Sequence, residues 1–165
     1  MLSVLRNHTI ASYLLTIIRI YLGFLWLSAS WGKITGSFDA SGYLKGALAN
    51  AKGEHPAVLP WWADFIEQVA LPNVSIINIL VPWGEFLVGV GLILGLFTSL
   101  SILMGLLMNF SYMFSGSAGQ NPLMVILGFI TLVAGYNAAK IGLDRWRKWK
   151  HHSSTETSSS NAPFA

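Results

Sequence analysis

The sequence predicts an all-α integral membrane protein, a four-helix bundle with an outer loop that carries a short amphipathic interfacial helix. Three observations predict it. Only 10% of the 165 residues are charged and 53% are hydrophobic, with a mean hydropathy of +0.56, whereas soluble domains average about 25% charged residues. Four stretches are apolar over lengths suited to about 30 Å of hydrocarbon, allowing for tilt. The Lys and Arg residues flank these stretches and leave the short connections between them bare.

The first span runs roughly from 9 to 31. Ser28-Ala29-Ser30 would suit a signal-peptide cleavage site, but the run exceeds the usual h-region of about 7 to 15 residues and Arg19 interrupts it, which favours an uncleaved helix. Residues 32–73 are the least bilayer-like part and divide at Gly53 to Pro60. In the second piece, WWADFIEQVAL, helical spacing puts Trp62, Phe65, Ile66 and Val69 on one face and Asp64, Glu67 and Gln68 on another. Such a helix lies in the membrane interface or folds as a cap over the bundle.

The second and third spans, 74–96 and 98–114, are nearly contiguous. The loop FSGSAGQNP then leads into the fourth, 122–139, where Asn121-Pro122 suits a helix entry. Arg6 precedes the first span, and Lys140, Arg145, Arg147, Lys148 and Lys150 follow the fourth. That asymmetry predicts a multi-pass cell-membrane protein with both termini cytoplasmic and the 32–73 loop outside. The tail 147–165, basic and then rich in Ser and Thr, is expected to be disordered, with His151-His152 part of it rather than a metal site.

Composition also removes chemistries. With no cysteine the chain has no disulfide, thiol relay, cysteine-ligated cluster or cysteine-ligated zinc of its own. His8, His55, His151 and His152 all lie outside the apolar runs, which argues against a buried bis-histidine haem. The basic cluster beside the fourth span reads as a determinant of orientation and a contact for anionic lipid, not as a nucleic-acid surface.

Two charges stand inside the spans. Glu85, within VPWGEFLVGVGLILGLF, and Arg19 each lie near the midpoint of an antiparallel span, so an Arg19–Glu85 ion pair is expected. Ser12, Thr16, Gly23, Trp26, Ser30 and Lys33 share a face with Arg19 or adjoin it. Asn78, Pro82 and Gly89 accompany Glu85, while Ser101, Gly105, Asn109 and Tyr112 align on the third span. These faces describe a polar seam, either a set of interhelical fasteners or an active site. Lys33 either snorkels to the headgroups or turns into the seam, where with Arg19 it would form an outward-facing anion site. Gly91 with Gly95, and Gly128, Thr131 and Gly135, suit close helix packing.

The runs RIYLGFLWLSASWGKI, WGEFLVGVGLILGLFT, FSGSAGQNP and NAAKIGLDRW, in this order and spacing, resemble the DoxX family of small four-helix membrane proteins over about residues 19–146. The nearest resemblance is to the DoxD-like small subunit of thiosulfate:quinone oxidoreductase. The positions matching the pattern are Arg19, Gly23, Lys33, Glu85, Gly95, Asn121, Pro122, Asn137, Asp144 and Arg145.

The resemblance implies oxidation of thiosulfate to tetrathionate with electrons passed to a quinone, in company with a second redox subunit. On that expectation Glu85 and Arg19 are the candidate catalytic residues: Glu85 manages a quinone proton, and Arg19 holds Glu85 or a quinone oxygen. Lys33, Asn109, Trp26 and Asn121 are the candidate substrate-binding residues. No metal or covalently held cofactor is expected. The other readings are a noncatalytic module that anchors or stabilises partner proteins and, ranked last, a small-molecule transporter, whose passage four short helices would provide mainly as a homo-oligomer.

Overall fold

The computed structural model describes residues 2–52 and 54–145. The predicted disordered tail, with His151 and His152, lies outside the described residues. Those described are largely helical and contain no strand.

A short α1 (Leu2–Asn7) precedes α2 (Thr9–Thr35), which runs four residues past the predicted end and stops at Gly36. The connection to the next long helix contains α3 (Ser41–Asn50) and α4 (Pro60–Phe65), the latter continuing as a π-helical turn over Ile66–Ala70. Then come α5 (Val74–Leu94), α6 (Thr98–Phe114), α7 (Asn121–Ala134) and α8 (Tyr136–Ala139). The expected continuous span 122–139 is interrupted at Gly135, whose φ of 58° and ψ of −129° lie outside the helical region. At 14 residues α7 covers only about 21 Å.

Helices α2 and α5 pack antiparallel, and two glycines set their separation. A methyl group on Gly23 would stand 2.7 Å from Ile93 Cγ1 and 2.9 Å from the Gly89 carbonyl oxygen. One on Gly89 would meet Leu27 at 2.7 Å. The backbones approach because these positions lack side chains. Helices α6 and α7 pack on each other and on this pair. Leu22 and Trp26 of α2, Val88 and Leu92 of α5, Ile102 and Leu106 of α6, and Met124 of α7 form one buried core.

The outward faces of the same four helices are apolar. Ile10, Leu14 and Ile17 of α2, Ile79, Leu80 and Leu87 of α5, Leu103 and Leu107 of α6, and Ile126 and Phe129 of α7 are all exposed. Soluble proteins rarely display such large contiguous apolar surface. By length and composition α2 and α5 are each able to cross a membrane, and α6 and α7 are shorter apolar helices.

At the end of the bundle where α2 finishes and α5 begins, the 36–73 connection folds as a cap with its own small core of Ala40, Leu44, Ala47, Val58, Ile66 and Ala70. The predicted apolar face of its second helix divides in two. Ile66 is buried and Trp62 half-buried, with Trp62 Nε1 donating to Ser115 Oγ at 2.9 Å. Trp61, Phe65 and Val69 form an exposed apolar ridge. Asn78 of α5 holds the cap down by accepting the Ala40 N–H at 2.8 Å and donating to Asp39 at 3.3 Å. The Ser41 hydroxyl and backbone N–H, and Asn78, hold the exposed Asp39 carboxyl below its ordinary value of 3.8.

Candidate functional site

Glu85 sits one turn after Pro82 on the buried face of α5, with 1% of its side chain exposed. Its partner is Lys33, not Arg19. Lys33 Nζ lies 2.6 Å from both carboxylate oxygens, and the Tyr112 hydroxyl donates to Oε1 at 2.6 Å. Two side chains, one from α2 and one from α6, thus converge on the α5 carboxylate, at the short distances of charge-assisted hydrogen bonds.

The expected Arg19–Glu85 pair fails for a reason of register. Matching midpoints supposed that α2 ends near Trp31, but it continues to Thr35, so Lys33 is still helical and lies within reach of Glu85. Arg19 is level instead with Gly95, ten residues or about 15 Å farther along α5. For the same reason Lys33 neither snorkels away nor shares an anion site with Arg19.

Lys33 is the open edge of the cluster. With 26% of its side chain exposed, it lies 5.8 Å from the ring centroids of both Phe38 and Tyr112. Phe38 belongs to the connection before α3. Tyr43 of α3 donates to the Tyr112 carbonyl at 3.3 Å and meets the Tyr112 ring edge-on at 6.3 Å. The cap therefore overlies the carboxylate and leaves the ammonium as its approach.

Arg19, 2% exposed, occupies the opposite end of the bundle. Its Nη2 donates to the Ile141 carbonyl at 2.7 Å, and the guanidinium lies against Gly95 and Gly142. Asp144 supplies a nearby countercharge while accepting the N–H groups of Phe97 and Thr98 at 3.0 and 2.8 Å, which caps the start of α6. Leu143 N and Asp144 N bond back to the carbonyls of Leu94 and Gly95. Arg19 thus binds the segment after α8 to the α5–α6 turn.

The other candidate residues separate. Trp26 and Asn109 both line a cleft of about 10 Å³ in the bundle interior, with Gly105 and Gly128. Asn121 starts α7 and bonds the Ser117 carbonyl at 2.9 Å, closing its own loop. Tyr112 was the residue not singled out for chemistry, although its place in the run Ser101, Gly105, Asn109, Tyr112 was the signal that could have found it. Among the described residues no group of three metal-ligating side chains comes together.

The DoxX family model matches residues 14–117, which contain Lys33, Glu85 and Tyr112 together with most of the four-helix core. The chain belongs to the DoxX family. No curated protein and no solved structure matches it. As a DoxX protein it is of membrane type, in keeping with the apolar outer faces of α2 and α5.

Proposed function

We propose that this DoxX protein crosses the cell membrane four times and that its outward-facing Lys33–Glu85–Tyr112 cluster handles protons for a quinone-linked redox reaction. The observation that carries this reading is the cluster itself: three titratable side chains in direct contact on three helices, one of them open at the surface. Intramembrane ionisable groups so arranged mark proton relays and ligand sites. Helices α6 and α7, shorter than the hydrocarbon is thick, complete the spans through local thinning of the bilayer, and the Arg6 and Lys140 side faces the cytoplasm.

Reduction of a quinone to a quinol takes up two electrons and two protons. Oxidation of two thiosulfates to one tetrathionate supplies two electrons. Cysteine-free, this chain offers no thiol to carry them, so the electron donor is engaged by a second redox subunit. The interior cleft of about 10 Å³ holds no quinone ring. The quinone substrate therefore meets the chain at the mouth where Lys33 emerges between Phe38 and Tyr112, and Arg19 takes no part. There the ammonium attracts one reduced quinone oxygen, to which Glu85 with Tyr112 passes a proton before being recharged from the outer water. The second quinone oxygen takes its proton from water at the open mouth.

The test is thiosulfate-dependent reduction of a short-chain quinone by membranes containing the wild type or Glu85→Gln at matched level, with melting of both in detergent. The expected result is turnover in the wild type and its loss in a variant that is still folded and intact at the assay temperature. That variant melts lower because Lys33 loses its carboxylate. A second reading, a noncatalytic anchoring module, is favoured by the complete occupation of the Glu85 oxygens by donors from α2 and α6. It predicts no turnover in either protein and a large fall in melting temperature for the variant.

A further inference from the structure

The interior cleft has an unmet chemical requirement. Asn109 is 2% exposed and its Oδ1 accepts no hydrogen bond. Trp26, 3% exposed, turns its indole Nε1 to the same wall, 3.1 Å from where a methyl group on Gly105 would stand. Asn109 Oδ1 can only accept and the indole nitrogen can only donate, yet the structure forms no bond between them. A molecule able to donate to the first and accept from the second satisfies both.

Size narrows the choice. The cleft measures about 10 Å³, which is about one water and less than any organic substrate requires. Its walls are held back by glycines. A methyl group on Gly128 would approach Leu106 to 3.0 Å, and one on Gly105 would approach Val88 to 3.3 Å.

We propose that one structural water bridges Asn109 Oδ1 and Trp26 Nε1 in this cleft. The ligand of Trp26 and Asn109 is then a water and not the substrate. Asn109 lies three residues, about 4.5 Å of helix rise, before Tyr112, so the water extends the polar seam inward from the carboxylate cluster. The inference rests on the cleft alone and stands whether or not the protein is a redox subunit.

The experiment uses the full chain in detergent micelles with ¹⁵N-labelled tryptophan, the Trp26 indole resonance being assigned by Trp26→Phe. A rotating-frame transfer peak from water to that indole N–H is expected in the wild type and is expected to vanish in Asn109→Leu. Because Trp26 is buried, bulk solvent does not supply such a peak. Its absence from the wild type overturns the proposal, and so does its persistence in folded Asn109→Leu. Should that variant fail to fold, Gly105→Ala, which puts a methyl group into the cleft, gives the same two outcomes.

Discussion

Removing one member of a buried ion pair is costlier than removing both, because the survivor stays in low dielectric without a partner. Lys33→Met leaves Glu85 with only the Tyr112 hydroxyl, and should cost about 2 to 3 kcal/mol, toward or below the low end for buried pairs since Lys33 is partly solvated. Adding Glu85→Gln to that variant should recover more than half of the loss. Denaturation in mixed micelles through the full double-mutant cycle measures it; additive costs would mean that the pair is not coupled. The sequence made both charges conspicuous but not their pairing. Depth matching pointed Glu85 to Arg19, and the true pairing with Lys33 turned on four extra residues of helix after Trp31, which no apolar-run boundary resolves.

The α5–α6 turn is built around a missing side chain. Gly95 ends α5 in the left-handed conformation, φ 63° and ψ 44°, and a methyl group there would collide with the Arg19 guanidinium. Gly95→Ala should therefore cost more than the conformational term alone, which is about 1 to 2 kcal/mol. The excess comes from displacing Arg19 from the Ile141 carbonyl. Trypsin cleavage after Arg19 and Arg145 should quicken in the variant, and unchanged stability would show that the turn has room to spare. The sequence marked Arg19, Gly95 and Asp144 as matching a family pattern. Their assembly into one lock was not legible, because it joins residues more than a hundred positions apart through backbone carbonyls. Hydropathy reports where helices are and says nothing of which carbonyl a guanidinium reaches.

For the whole molecule, the absence of cysteine is an experimental convenience. Lys45→Cys, on the exposed surface of α3, should react with a membrane-impermeant maleimide on intact cells, and Ser3→Cys only after permeabilisation. The reverse pattern would invert the topology, and equal labelling of both on intact cells would deny that the chain spans. Four apolar helices were legible from hydropathy and composition, while periodicity left the 60–70 helix open between the membrane interface and a cap. The break at Gly135 and the two-sided packing of the 60–70 helix were not, since both depend on what each face meets. One mechanical consequence follows from the pinning of α2 to α5. The pair is clamped by Lys33 at one end and is in contact through Gly23 and Gly89 at its middle, so it resists piston-like sliding. Shear is left to the slab made of α6 and α7. That displacement would load the Tyr112 hydroxyl's bond to Glu85 together with the bonds that Tyr43 and Trp62 of the cap make to Tyr112 and Ser115. The end of α6 under the cap is therefore where strain in the bundle would register.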